Sequence, residues 1–397
     1  MKNKNSLKGY VLFAGMAVLI ASAWYNVSGN THRDEELLDD YLSRVSEHEE
    51  KEAYITAAGY CVKALEIRKD DAEIMLRAAD NYLKCGDRNA FLKYCRMAAE
   101  KAPESDRSWL AMSEYYFGSG DIKTAMEYLE KAPGNDMPED IKNLGNHIRG
   151  SYSMGNKKFS GVKGFYNQYC AVSDEKGRWG LADENGQLQL VMKYDDIGAC
   201  NTDEDIIPVC NEGKWYFSDL EGRIKYVPNR KYDYLGAYSC GFAPFSADGV
   251  YGYMRLDYKE ETKTFDYAGA FSDGAAAVKK SGKWAVIDDS LNEITGYIFD
   301  DIELDDYGFC VKNGIISAVK NGKQVSLDVH GNEVSDTVKA VCGLTPVNCD
   351  NLWGFADENG EVLTDICFDD VYEFSENGRT CVLQDGYWRI MILDLYR

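Results

Sequence analysis

Twelve cysteines and four histidines are the side chains of this 397-residue chain best suited to a metal or redox centre. Their spacing supports neither. No C-x-x-C pair occurs, and His32, His48, His147 and His330 are scattered along the chain, so zinc-ligand spacing is absent. Cys170, Cys210, Cys310 and Cys381 stand at comparable places before repeated turns, where another copy has Ala276 or Ala277. That pattern is one of small buried hydrophobes. In an exported protein Cys342 and Cys349 could form a disulfide, but bridging depends on geometry that spacing does not fix.

Carboxylates are the other candidates, because glycoside hydrolysis needs two of them in unequal environments about 5–10 Å apart. Asp183, Asp219, Asp288, Asp328 and Asp357 recur at one turn position, and Asp195, Asp233, Asp266, Asp300 and Asp369 at another. A catalytic pair would be unique, so recurrence predicts a structural role. Asp203-Glu204-Asp205 and Asp305-Asp306 fall outside the repeat and read as surface loops, with calcium as their remaining use, although no EF-hand loop is present. Neither a phosphate-binding glycine loop nor a nucleophile elbow is found. The expectation is a non-enzyme with no catalytic, cofactor-binding or metal residues and no cofactor. A net charge of −22 disfavours nucleic acid and anionic membrane surfaces as partners.

What positions the recurring aspartates is a hairpin repeated from GRWGLADENG at Gly177 to the C-terminus. Each copy opens on a turn dipeptide: Lys176-Gly177, Glu212-Gly213, Asp248-Gly249, Ser281-Gly282, Asn321-Gly322 or Asp385-Gly386. Glycine there supplies a positive φ. Period-two strands follow, headed by Trp179, Trp215, Tyr251, Trp284, Trp353 and Trp388, which are the expected repeat core. Small residues at Gly180, Gly252, Ala285 and Gly354 admit a second layer. An Asp-x-x-Gly turn closes the hairpin, and a Tyr-Asp or Phe-Asp marker comes later, at Tyr194, Tyr232, Phe265, Phe299 and Phe368. Three markers in fixed order make a repeat array.

This order resembles the WG-repeat (KWG-repeat) family over about Phe159 to Arg397, although only Trp179-Gly180 and Trp353-Gly354 keep the pair intact. Tyr251 replaces tryptophan in the third copy, and Gln324 replaces it in the fifth. The resemblance implies a β-rich module on bacterial proteins and supplies no catalytic residues. Small units of this kind close radially or stack in line. The partial last copy and the marker-like Phe165-Tyr166-Asn167 favour a β-propeller-like closure, with an open β-solenoid as the alternative.

Upstream, a 34-residue register aligns Ala64 with Ala98 and Ala132, Met75 with Trp109, and Tyr82 with Tyr116, while Ala125 holds a further small-residue position. Tyr82, Ala98, Trp109, Tyr116, Ala125 and Ala132 resemble the signature of tetratricopeptide (TPR) repeats, helix pairs that present a groove to a partner. Tyr41 and His48 make the first unit degenerate.

At the N-terminus, lysines precede an uncharged run over 9–27. The run reads as a transmembrane signal-anchor, or as a signal peptide cleaved after Ala23. The expected class is therefore a multidomain α and β protein. It comprises a cytoplasmic tail over 1–8, a transmembrane helix over 9–27, a juxtamembrane linker over 28–37, an α-solenoid of TPR-like helix pairs over 38–149, a linker over 150–158 and an all-β repeat domain over 159–397. The expected location is the cell membrane, single-pass, with a cytoplasmic N-terminus and an extracytoplasmic bulk. The expected role is a scaffold that binds a protein, with cell-wall glycan as a second partner class and an exported glycan-active enzyme as the alternative. If the ring is core, Trp179→Ala or Trp353→Ala is expected to cost about 3–5 kcal/mol in urea unfolding. Loss of ligand binding at unchanged stability would contradict the core assignment.

Overall fold

The computed structural model describes residues 32–133, 138–226, 228, 230–335 and 339–397. The chain divides between Ile148 and Arg149 into two compact units.

The first unit is helical: α1 (32–50), α2 (Tyr54–Ile67), α3 (Ala72–Lys84), α4 (Arg88–Lys101), α5 (Arg107–Gly118), α6 (Ile122–Leu129) and α7 (Glu139–Gly150). Aspartates start several of these helices. Asp71 accepts from the Glu73 and Ile74 N–H groups, Asp87 from Ala90 and Asp121 from Thr124, which satisfies amide groups that a helix start leaves open. Asp87 and Asp121 are 34 residues apart, so the cap repeats with the fold. Ala57, Cys61, Ala64, Ala78, Ala79, Cys95 and Ala98 are buried, and their small size lets paired helices approach closely. One aromatic pair recurs in every repeat: His48 on Tyr60 at 5.5 Å, Tyr82 on Tyr94 at 5.5 Å, and Tyr116 on Tyr128 at 5.4 Å, all nearly parallel. His48 is thus a ring-for-ring replacement in the first repeat.

Among the described residues no helix is long and apolar enough to cross a membrane. The single-pass reading of fold and location is corrected accordingly. The described helices bury one side against neighbours and carry charge on the other, as in α3, which buries Ile74, Met75, Ala78 and Ala79 and exposes Glu73 and Asp80. The segments 1–8 and 9–27 lie outside the described residues.

The described residues of the second unit form seven antiparallel sheets of two to five strands. In chain order, sheet 1 begins at Gly161–Tyr166, sheet 2 at Asp196–Ile197, sheet 3 at Tyr234–Leu235, sheet 4 at Tyr267–Ala268, sheet 5 at Asp301–Ile302, sheet 6 at Thr345–Cys349 and sheet 7 at Asp370–Val371. The expected propeller-like closure is corrected, because among the described residues the strands form no closed barrel or propeller sheet and each ladder ends within its own sheet. The two ends of the unit do meet. Tyr152–Met154 pairs with Met391, Ile392 and Leu393 to complete sheet 7, and Phe159 bridges Trp388. That strand lies in the Gly/Ser-rich stretch 150–158, whereas Phe165 and Tyr166 pair within sheet 1 with Cys170 and Tyr169.

Sheets 1 to 4 and 7 are buried on both faces, and alternation assigns each face to a different neighbour. In sheet 4, Ala276, Val278, Ala285 and Ile287 pack towards sheet 3, while Ala275, Ala277, Trp284 and Val286 pack towards sheet 5. The same sharing joins sheets 1 and 2, 2 and 3, 6 and 7, and 7 and 1. A loop within sheet 5, between its strands Asp301–Ile302 and Val311–Lys312, ties in sheet 1: the Ala171 N–H donates to the Tyr307 hydroxyl at 3.1 Å, Phe309 stacks on Tyr166 at 4.4 Å, and Asp306 accepts from Gly164 N–H at 3.1 Å.

Glycine after the tryptophan has a steric cause. A Cβ at Gly180 would stand 2.5 Å from the Leu190 carbonyl oxygen, and one at Gly354 2.8 Å from that of Asp365. Gly180→Ala is expected to lower the stability of the β unit by about 1–3 kcal/mol, because rigid backbone must move. Urea unfolding followed by tryptophan fluorescence measures it; an unchanged midpoint would show that the crossing strand yields freely.

Candidate functional site

A groove in the helical unit and the repeated carboxylates of the β unit are where binding or chemistry would reside. The groove is a cavity of about 540 Å³. Leu42 of α1, Leu76 of α3 and Leu110 of α5 line it at 34-residue intervals, each half-buried. Asp80 and Glu114 line it too, again 34 apart, and both are exposed. These positions lie outside the TPR signature, which marks contacts between helices. The signal that would have found them is the same 34-residue spacing applied to charged and leucine residues.

Electrostatics divides the groove. Arg77 reaches back to α1, donating to Glu49 at 2.7 and 3.1 Å, and Asn81 donates to the same carboxylate at 2.6 Å. Arg107 pairs with Glu73 across one repeat. Desolvation acts to raise the Glu49 pKa, but the Arg77 and Asn81 hydrogen bonds outweigh it and hold the carboxyl below its ordinary value. The Glu114 carboxyl moves the other way, raised by desolvation and by the Asp140 and Asp80 carboxylates.

The signature residues sit at helix contacts. Tyr82 and Tyr116 are half-buried in the stacked pairs, Ala98 and Ala125 are fully buried, and the Ala125 carbonyl accepts from the Ser113 hydroxyl at 2.8 Å. Trp109 stacks on Tyr128 at 6.4 Å. Ala132 lies past the end of α6 and is half-buried.

In the β unit nine of the ten recurring aspartates accept from backbone N–H groups. Of the marker aspartates, Asp195 accepts from Gly213 N–H at 2.9 Å, Asp233 from Asp248 at 3.1 Å, Asp266 from Ser281 at 2.6 Å and Asp300 from Gly322 at 2.8 Å. These acceptors cap hairpins whose two central residues both have positive φ, such as Glu212 (52°) with Gly213 (67°) and Asn321 (53°) with Gly322 (71°). The first copy differs. Its turn is Asp174 to Gly177, with the Asp174 carboxylate accepting from Lys176 and Arg178 N–H at 2.9 and 3.0 Å. The second class makes that same turn: Asp183 accepts from Asn185 and Gln187, Asp288 from Ser290 and Asn292, Asp328 from His330 and Asn332, and Asp357 from Asn359 and Glu361.

The aromatic heads divide into two groups. Trp215 and Trp284 are buried, whereas Trp179, Tyr251, Trp353 and Trp388 are half-buried. The marker aromatics lie opposite them, Tyr194 against Trp179, Phe265 against Tyr251, Phe299 against Trp284 and Phe368 against Trp353. All twelve cysteines are free. Cys170 stands opposite Ala182, Cys210 opposite Trp215 and Cys381 opposite Ile390, so they are not in one register, and Cys310 precedes its hairpin altogether. Asp205, Asp219 and Glu221 bring carboxylate oxygens within 4.8 Å of one another. All three already have cations, Lys225 at 3.5 Å from Asp205 and Arg223 at 2.7 Å from both Asp219 and Glu221.

A family model described as "WG containing repeat" matches residues 179–215, 262–284 and 353–388. Each match contains one aromatic–aspartate marker and ends on the tryptophan of a copy. The helical region is similar to the TPR domain of Sgt2 from Aspergillus fumigatus, at 21% identity over 28% of this chain and 76% of that one, with a TM-score of 0.26. Kluyveromyces lactis Hsv2p is similar at 12% identity over 57% of this chain and 89% of that one, with a TM-score of 0.37. The β-propeller domain of Cps50 (Swd1) from Myceliophteria thermophila is similar at 8% identity over 61% and 99%, with a TM-score of 0.36. At such TM-scores the likenesses carry no structural argument. No curated protein matches the chain. The protein is thus a repeat-containing one, TPR-like helices followed by a β unit with WG-containing repeats at three places.

The Glu49 contacts yield a pH prediction. Because its folded-state pKa lies below the unfolded value of about 4.3, the stabilisation is present above that pH and disappears as pH falls through the folded value. Glu49→Gln is expected to cost the helical unit about 1–2 kcal/mol at pH 7, allowing for its partial exposure, and less near pH 3. Urea unfolding followed by helical circular dichroism at both pH values reads the difference; an equal loss at both would remove the carboxylate from the account.

Proposed function

We propose that this chain is a non-catalytic interaction protein in which the helical unit receives a segment of a protein partner and the β unit provides a second, rigid platform. The observation that carries this reading is the cavity of about 540 Å³ lined by equivalent leucines from three successive repeats. A leucine at the same place in every repeat lays a continuous apolar track, the surface that a bound peptide buries. An α-helical repeat array suits such a role because each repeat contacts only its neighbours, which leaves one face open along the stack.

The other reading of the sequence is a glycan-active enzyme built on the β unit. Against it stands the use already made of the repeated carboxylates. A general acid needs a proton held by an apolar setting, and a nucleophile needs an open approach. The carboxylates of this turn position instead accept two backbone N–H groups each at Asp183, Asp288, Asp328 and Asp357, a role that recurs with the fold.

The test is photo-crosslinked capture by the full chain, run beside Leu76→Asp and Leu110→Asp variants that keep parental circular dichroism. Recovery of one protein by the parent and its loss, by tenfold or more, in both variants is the expected outcome. Capture that both variants retain in full would remove the groove from the function.

A further inference from the structure

The groove lining is acidic on balance, with Asp71, Glu73, Asp80 and Glu114 beside Arg77 and Arg107. Asp80 and Glu114 hold equivalent places on α3 and α5, both line the cavity and both are exposed. The arginines lining the same cavity are already paired, Arg77 with Glu49 of α1 and Arg107 with Glu73, a lining residue itself. Asp140 adds a third carboxylate near Glu114. Among the described residues Asp80 and Glu114 are thus the two of the four lining acids that stand over the leucine track with no salt-bridge cation of their own, while the lining arginines are already neutralised.

Covering this surface with an uncharged or acidic partner would strip water from carboxylates and return nothing for it. A cationic side chain offsets that cost and relieves the repulsion among the acids. We propose that the occupant of the helical groove is a partner-protein segment that sets an aliphatic side chain on Leu76 and Leu110 and places lysine or arginine against Asp80 and Glu114. The proposal rests on the reading of this unit as a protein-binding groove and adds the chemical class of what binds. It also gives the track polarity: the leucines supply apolar contact at all three repeats, whereas the acids are confined to the second and third, because the equivalent place in α1 is Ser46. The basic end of the bound segment therefore lies over α3 and α5.

The experiment uses the full chain and two fluorescent twelve-residue peptide pools that share a fixed Leu-x-x-Leu frame. One pool is degenerate in Lys, Arg, Ala and Ser at the remaining positions, the other in Asp, Glu, Ala and Ser, and anisotropy is read at low and high salt. The basic pool is expected to bind at least tenfold more tightly, with the advantage shrinking at high salt. Asp80→Asn with Glu114→Gln should bring the two pools within about twofold of each other, and Asp80→Lys with Glu114→Lys should reverse the preference, since both sites are exposed and the fold does not depend on them. Equal binding of both pools, preference for the acidic pool, or a preference that survives Asp80→Asn with Glu114→Gln overturns the proposal. Failure of both pools also overturns it. If crosslinked capture still depends on Leu76 and Leu110 in that case, the groove remains a protein-binding site and only the charge class falls; if that dependence is absent too, both readings fall.

Discussion

Four consecutive sheets of the β unit, sheets 2 to 5, are fastened at the point where the chain enters them. The aromatic–aspartate dipeptide does this with two side chains that serve different sheets. In Tyr194-Asp195 the ring completes the strand opposite Trp179 in sheet 1, and the carboxylate caps the hairpin of sheet 2 at Gly213. Phe265-Asp266 and Phe299-Asp300 repeat the arrangement. A hairpin with two left-handed residues exposes N–H groups that want an acceptor, and a carboxylate is the strongest one available. The burial of one sheet and the turn of the next are thereby set by adjacent residues, which leaves little freedom in how consecutive sheets follow one another.

The helical unit solves the same problem with rings and small residues. Alanine and cysteine bring helices close, and the stacked pair at each repeat fixes their rotation. The replacement of tyrosine by His48 shows that a flat ring of suitable size is what the position requires. With the interior so defined, the outward positions are free to vary, and there the leucines and carboxylates of the groove are found.

Much of this organisation was legible in sequence. The two periodicities located both units, and recurrence pointed to the turn that Asp183, Asp288, Asp328 and Asp357 each form. Other features depend on distance along the chain that local pattern does not carry. Tyr152–Met154 is too short to show an alternating period, and its partner strand lies more than two hundred residues away. The opening turn of the first copy was displaced because its governing residue, Asp174, precedes the Lys-Gly pair that resembled the others. Cysteines at similar distances from a turn proved to stand in different registers, since one residue of offset changes the face. Repeat counting gave the number of hairpins but not the extent of each hydrogen-bond ladder, so the propeller-like expectation failed. The membrane expectation rested on a run outside the described residues, and the described helices are amphipathic.

The pairing of Tyr152–Met154 with the strand ending at Leu393 has a consequence for synthesis. A ribosome exposes the first strand of this sheet long before it makes the second, so the sheet cannot be completed during most of translation. Sheets 1 to 6 can form in order from local hairpins, each closing a short loop, whereas the final pairing closes a loop spanning the whole unit. Through that interval residues 152–154 present an unpaired edge, and a nascent chain stalled before Met391 would keep it open to strands from other molecules.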